Sequence, residues 1–280
     1  MDDKAKILDA NIHYHTAMAD QYDQLNPHTS AENRDRVESI IKTLAQKTNG
    51  DKLIDLGCGT GFMLNVSKAH FNQVVGIDIT PAMLERIDRT SPRAEIILEL
   101  ANTEAIPYPD NTFDVCTAYS FLHHLYDLPA TLKEAYRVLK PGGWFYCGLE
   151  PNQNFWELVS KFASVENLPP SLAREVRNVL QIVAVVADEI DVTEEQVTLA
   201  EYQKIVKGGF TGDDVLDILR TIGFEEARIE YDWYLGQGQL SHEQGIDHAL
   251  IVDNYLKHQI PATKHLFKYL SFFAKKSKND

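Results

Sequence analysis

Apolar residues along this chain first repeat with the period of a helix and then gather into runs of strand length. Residues at about 3–25 and 30–48 read as two helices, the second closed by Gly50. Short apolar runs follow near 52–56, 73–77, 95–99, 113–119 and 143–149, separated by helical patterns that begin near 60, 81 and 128. Strands that alternate with helices need crossovers, and crossovers of one hand give a parallel sheet. Thr80 and Pro81 suit a helix start, as N-cap and first-turn proline. From 152 to 207 the strand pattern stops. Leu172, Val176, Val179, Leu180 and Val183 recur at helical spacing and Thr193 with Gln196 forms a capping box, which predicts a helical insertion. Gly208 and Gly209 return the chain to the sheet through a crossover helix at 211–221 and a sixth strand at 225–235. Residues 241–258 look helical and Pro261 stops them, while 265–276 fits helix or strand by pattern alone.

The run DLGCGTG at 55–61 sets Gly57, Gly59 and Gly61 between the first strand and the helix after it. Glycine in such a turn admits positive φ and lets backbone touch a ligand. The second apolar strand ends in Asp78, 17 positions after Gly61, the usual place for a carboxylate that grips two ribose hydroxyls; the bland alternative is a solvated strand end. A dinucleotide fingerprint requires G-x-G-x-x-G, and position 62 is Phe, so the glycine that would pack the helix beside a pyrophosphate is missing. That disfavours a nicotinamide or flavin oxidoreductase.

With 280 residues and 44% hydrophobic content the chain can bury a full α/β core plus an elaboration. A net charge of −14 argues against a nucleic-acid partner, whose phosphates are held by clustered Lys and Arg. The opening MDDKAKILDA has no apolar signal core, and the longest apolar stretch, near 182–187, is too short to span a bilayer. The three cysteines, Cys58, Cys116 and Cys147, fall in or beside core elements without CxxC spacing, which disfavours disulfides and zinc. The expected compartment is the cytoplasm.

The glycines at 57, 59 and 61, with Asp55 two residues before the first, resemble motif I of the class I S-adenosylmethionine-dependent methyltransferases. ANTEAIPYPDNTFDV at 101–115, SFLHHL at 120–125 and RVLKPGGWFYCGLEP at 137–151 look like later motifs of the family's small-molecule branch, in order, so that the resemblance covers about 50–151. It implies an α/β fold, a doubly wound, seven-stranded, mostly parallel Rossmann-like sheet with an N-terminal helical lid and a helical insertion after strand five. It also implies that about 268–275 is an antiparallel seventh strand inserted between strands five and six. The expected organisation is a lid at 1–48, a cofactor-binding core at 49–151, an insertion capping the substrate at 152–209 and the rest of the sheet at 210–280. The implied cofactor is S-adenosyl-L-methionine, with S-adenosyl-L-homocysteine as product, and the implied partner is a small-molecule methyl acceptor offering oxygen, nitrogen or carbon.

In that setting Gly57, Cys58, Gly59 and Gly61 would cradle the cofactor, and Asp55 would either reach its amino-acid end or cap amides within the loop. Asp78 would bind the ribose. Ile79 and Met83 would offer apolar surface to adenine, Met83 being equally well explained as core. Asn102 stands where the branch commonly has Asp; its amide oxygen can still accept from the adenine amine, without charge. Thr103 would offer a backbone amide, and Tyr119 at the end of strand four is a further expected contact. Asp110 and Asn111 are explained by turn chemistry.

His123 and His124 follow strand four at the carboxyl edge of the sheet, where open α/β folds place ligands. Either is a candidate general base, and either can equally cap the next helix. His15, Met18, Ala19 and Tyr22 share one helical face, and HTAMADQYD resembles the family's lid segment, so that Tyr22 is a candidate partner for the base and the lid is expected to be ordered by cofactor. Glu150, at the end of strand five, is a candidate substrate contact or a cap. His242 and His248 read as solvated. The spacing of Asp, Glu and His shows no metal-ligand cluster, and methyl transfer requires no metal. A non-catalytic S-adenosylmethionine-binding module that holds a partner through its insertion is the competing reading.

Overall fold

The apolar runs pair into one seven-stranded sheet of order β3-β2-β1-β4-β5-β7-β6 in the computed structural model, which describes residues 3–25, 30–162, 165 and 167–279. Residues 1, 2 and 26–29 of the expected lid, 163, 164 and 166 of the expected insertion and the terminal residue 280 lie outside the described residues. The chain opens with α1 (Asp3–Met18), α2 (Tyr22–Leu25) and α3 (Ala31–Thr48), followed by β1 (Lys52–Leu56), α4 (Phe62–Ser67), β2 (Gln73–Asp78), α5 (Pro81–Leu84), β3 (Glu95–Leu100) and β4 (Phe113–Tyr119). A 3-10 turn (Leu122–His124) leads to α6 (Leu128–Val138) and β5 (Leu139–Pro151). Among the described residues five helices then run without a strand: α7 (Gln153–Phe162), α8 (Pro170–Leu180), α9 (Ile182–Glu189), α10 (Glu194–Ala200) and α11 (Tyr202–Ile205). The chain returns through α12 (Gly212–Ile222) to β6 (Phe224–Tyr234), α13 (Gln237–Gln244), α14 (Ile246–His258) and β7 (Phe267–Lys276).

β1 to β5 are parallel, and β7 runs antiparallel between β5 and β6. Side chains alternate across each strand, so the buried sheet needs cover on both faces. Ile54 and Leu56 face one core with Leu132 of α6 and Leu219 of α12, whereas Leu53 faces the other with Val37 and Ile41 of α3 and Leu64 of α4. Val37, Ile41 and Leu44 lie at helical spacing and are almost wholly buried, each worth about 1.5–3 kcal/mol of apolar transfer. Among the described residues no helix is long and apolar enough to cross a membrane.

Several local expectations change. The first helix stops at Met18 and resumes at Tyr22, because Asp20 pairs with Arg86 and the Thr60 hydroxyl donates to Asp23 at 2.7 Å, bending the chain over the β1–α4 turn. α3 is closed by Asn49 in the left-handed region (φ 48°), and Gly50 is small because a Cβ there would lie 2.8 Å from the Phe71 ring. The helix expected near 60 begins at Phe62, after Gly61. Thr80 gives no side-chain cap; its backbone N–H donates to Asp78 instead. Strand five starts four residues early, at Leu139, since the 140–143 stretch is carried as an irregularity between the Phe113–Leu139 and Val115–Trp144 pairs. The helix expected at 241–258 is two, broken at Gly245 (φ 92°), and Leu180 is exposed rather than buried.

Candidate functional site

The turn from β1 into α4 owes its shape to its three glycines, all at positive φ (66° at Gly57, 51° at Gly59, 91° at Gly61). A Cβ on Gly57 would fall 1.9 Å from the Phe121 ring, whereas one on Gly59 would meet nothing within 4 Å, because Gly59 faces open space. At the end of β2, Asp78 accepts the Gly59 N–H at 2.9 Å and, through its other oxygen, the Thr80 N–H at 2.8 Å. One carboxylate thus fixes the turn and still borders the space beside it.

That space is a cavity of about 800 Å³ over the carboxyl ends of β1, β2 and β4. Gly57, Gly59, Asp78, Ile79, Asn102 and Thr103 line its floor, and α1 and α2 roof it with Ile7, Asn11, His15 and Tyr22. Asn102 accepts the Glu104 N–H at 2.9 Å through its side-chain oxygen, and the Thr103 hydroxyl meets that of Thr131 at 3.1 Å. The roof is tied down by ion pairs Lys4–Glu104 and Asp20–Arg86 and by the Asn11 amide donating to the His124 carbonyl at 3.2 Å. α1 also buries Ile7, Ala10, Asn11, Tyr14 and Met18, more than the single narrow stripe read from the sequence, because its second face packs on Ala187, Val197 and Ala200 of the insertion.

A second cavity of about 1100 Å³ adjoins the first, and His15, Tyr22, Ser120 and His124 border both. Its remaining wall includes His123, Glu201 and Lys204, with Trp233 and Tyr269 from the far strands. The His124 ring bonds the Ala200 carbonyl through Nδ1 at 2.7 Å, and the His15 ring bonds the Asn11 carbonyl through Nδ1 at 2.9 Å. A carbonyl only accepts, so each ring carries its hydrogen on Nδ1 and leaves Nε2 with a lone pair. Burial lowers the pKa of both rings, His124 well below the ordinary 6.5, with His123 and His15 adding to the effect at His124. Burial, then Glu201 and Asp78, push the Tyr22 phenol up, so it stays protonated. Burial alone would raise Glu201, but Lys204 at 2.7 Å and then His123 and His124 outweigh it and hold the carboxyl far below its usual range.

The structure separates the expected site residues into two groups. Gly57, Gly59, Asp78, Ile79, Asn102, Thr103, Tyr22 and His124 border the first cavity, whereas Asp55, Cys58, Gly61, Met83, Tyr119, His123 and Glu150 do not. Asp55 lies beneath the turn, 1% exposed, accepting the Thr117 hydroxyl at 2.7 Å; burial pushes its carboxyl up to about 8. Cys58 packs against Gly76, and Gly61 abuts Ile87. Met83 is core beside Tyr14 and Met18, and Tyr119 bonds Asn33 and stacks on Phe62. His123 reaches only the second cavity, held by Glu150 through Nδ1 at 2.8 Å with Glu201 3.6 Å from Nε2.

Glu150 is fully buried and has no face left for a substrate. Leu149 before it sits at φ +65°, turning Glu150 inward, where it accepts the N–H groups of Phe121, Leu122 and His123 at 2.9, 2.8 and 3.1 Å. This carboxylate therefore sets the turn after β4. Glu150→Gln should lower stability by about 1–3 kcal/mol, since its amide NH₂ would face backbone donors; denaturant unfolding with an unchanged midpoint would remove that role.

Glu201 and Lys204 carry no sequence signal that marks them, and Ser120, though it opens the SFLHHL run, is not singled out within it. The structure also brings a ring nitrogen from each of His123 and His124 within 4.8 Å of each other and of a Glu201 oxygen, a metal-type donor set the spacing did not show, in which Glu201 is already paired with Lys204.

Residues 54–147 match the family described as "Methyltransferase domain". Demethylmenaquinone methyltransferase of Symbiobacterium thermophilum is 37% identical over 145 residues, covering 49% of this chain and 57% of that protein. Malonyl-[acyl-carrier protein] O-methyltransferase of Serratia marcescens is 37% identical over 94 residues, covering 34% and 36%. The chain thus spans about a third to just over half the length of these curated relatives. Among solved structures, a Haemonchus contortus phosphoethanolamine N-methyltransferase 2 aligns with TM-score 0.57 at 15% identity, over 99% of this chain and 60% of that one. A Mesorhizobium loti S-adenosylmethionine-dependent methyltransferase aligns with TM-score 0.52 at 18% identity, over 85% and 96%. These two likenesses establish the fold.

Proposed function

We propose that this chain, whose residues 54–147 match the family described as "Methyltransferase domain", is a class I S-adenosylmethionine-dependent methyltransferase that moves a methyl group from S-adenosylmethionine to a nucleophile of a small molecule. The observation that carries the reading is the pair of adjoining cavities with a common wall of His15, Tyr22, Ser120 and His124, one on the glycine turn and the other on the insertion. The residues of the first fit the cofactor: Gly59 leaves room for close approach, each Asp78 oxygen keeps a lone pair for a ribose hydroxyl, and Ile79 with Asn102 suits an adenine face and edge. Gly57 and Thr103 border the same space. The bound cofactor supplies a methyl carbon already activated by a sulfonium.

The protein's task is then to align the reactants and exclude water. α1 and α2 serve as lid, whereas α3, which the sequence also assigned to the lid, covers one face of the sheet; residues 49–151 serve as cofactor core, 152–209 as cap of the acceptor cavity and 210–280 as the rest of the sheet. We assign proton removal to His124 Nε2 rather than to His123, because His124 borders both cavities while His123 is locked onto Glu150. Tyr22, protonated on the same shared wall, orients the acceptor. Three buried free thiols suit a reducing compartment such as the cytoplasm, and the −14 charge suits a small-molecule rather than a nucleic-acid partner.

Calorimetry should give binding of S-adenosylmethionine and S-adenosylhomocysteine and none of NAD; the reverse order would sink the assignment. A metabolite library read by S-adenosylhomocysteine release identifies the acceptor, and release with no acceptor in a broad library would favour a non-catalytic binding module.

A further inference from the structure

Among the described residues, eight other than glycine hold a positive φ. Asn49, Asn111, Asn167 and Asp191 are of the types that tolerate it, and Glu226 lies in the irregularity of the β6–β7 ladder between Glu225 and Arg228. The other three, Ser120 (53°), Leu149 (65°) and Trp233 (60°), all border the acceptor cavity. At Trp233 the backbone decides which way the side chain points. Tyr231 packs against one core, and Asp232 reaches to the opposite face of the sheet, where it accepts the Ser271 hydroxyl at 2.6 Å and pairs with Arg36. Strand alternation would return Trp233 to the Tyr231 face. The left-handed backbone instead keeps the indole on the Asp232 side, half-buried and bordering the cavity. Backbone strain at a bulky residue persists only where the surroundings impose it, and its gathering around one cavity marks that wall as shaped for a ligand.

The same wall carries Tyr14, Tyr22 and Tyr269, with Met18 and Leu149. Aromatic faces suit either a flat ring or a cation. Cations are already in place: the Lys204 side chain lines this cavity, and the Lys268 ammonium lies over the Tyr269 ring at 5.3 Å, so a further positive charge would meet repulsion. We propose that Trp233 is a specificity-determining residue and that the methyl acceptor carries a flat, conjugated ring system without positive charge, held against the indole with its nucleophile toward His124. This rests on the methyltransferase reading for what the ligand is, and on the cavity wall alone for its ring.

Calorimetry on protein saturated with S-adenosylhomocysteine gives the test, with two-ring probes suited to a cavity of about 1100 Å³. 2-Naphthol and decahydro-2-naphthol share a carbon skeleton and a hydroxyl, but only the first has a π face; choline is the cationic control. 2-Naphthol should bind saturably and roughly three- to tenfold tighter than its saturated counterpart, the size of an aromatic pairing beyond area burial. That comparison needs no variant. Trp233→Leu should remove the preference by weakening 2-naphthol alone, and Trp233→Phe, which keeps a ring, should retain it. Equal affinity for the two alcohols in the wild type, a preference unchanged in Trp233→Leu, tighter binding of choline, or no saturable binding of 2-naphthol overturns the proposal. S-adenosylhomocysteine affinity, measured on the same samples, reports separately on the methyltransferase reading.

Discussion

Asp78→Ala should weaken S-adenosylhomocysteine binding by roughly 10- to 150-fold, the equivalent of about 1.5–3 kcal/mol for hydrogen bonds to a charged acceptor. The side chain stands at a junction of two effects. Its oxygens hold the Gly59 and Thr80 N–H groups at 2.9 and 2.8 Å, so removing it loosens the turn that shapes the cavity floor as well as removing the ribose acceptor. Asp78→Asn separates them: it retains one carbonyl oxygen for the turn but loses the charge and turns an NH₂ toward one donor. Thermal unfolding without ligand reads the turn, and calorimetry reads the ribose. Unchanged affinity in both variants would end the ribose assignment.

His124→Gln should slow the methyl-transfer step by about 10²- to 10⁴-fold in single turnovers, with S-adenosylhomocysteine affinity intact, if the acceptor must lose a proton. The pH dependence has a definite sign. Burial, then the neighbouring imidazoles, hold His124 well below 6.5, so its Nε2 is unprotonated at neutral pH. The wild-type rate should therefore be flat through neutrality and fall only when pH drops below the ordinary imidazole range. His123→Gln should act differently, lowering stability because it breaks the contact with buried Glu150. Full turnover in both variants would leave alignment alone as the source of the rate.

The sheet was legible because its strands are buried on both faces and so read as apolar runs bounded by turns, as in β1 and β4. The break between Met18 and Tyr22 was not, because it is held by contacts with Arg86 and Thr60, distant in sequence. The same distinction holds in the cavities. Gly57, Gly59 and Asp78 act through turn geometry and strand ends, which spacing reveals. Whether a side chain at a strand end points into the cleft depends on local twist, which spacing does not reveal. Glu150 turns inward after a left-handed Leu149, and Tyr119 turns to Asn33. Glu201 and Lys204 reach the cavity only because α10 and α11 fold back against α1 and the turn after β4, a tertiary outcome that the pattern of an insertion leaves open.

Hydrogen exchange with and without saturating S-adenosylhomocysteine tests the central claim, that this ligand binds between the glycine turn, Asp78 and the N-terminal helix. The account predicts slower exchange at 57–61, 78–80 and 102–104 and through α1, with no such change on adding NAD. Identical exchange in those segments with and without S-adenosylhomocysteine, or equal protection by NAD, would contradict it.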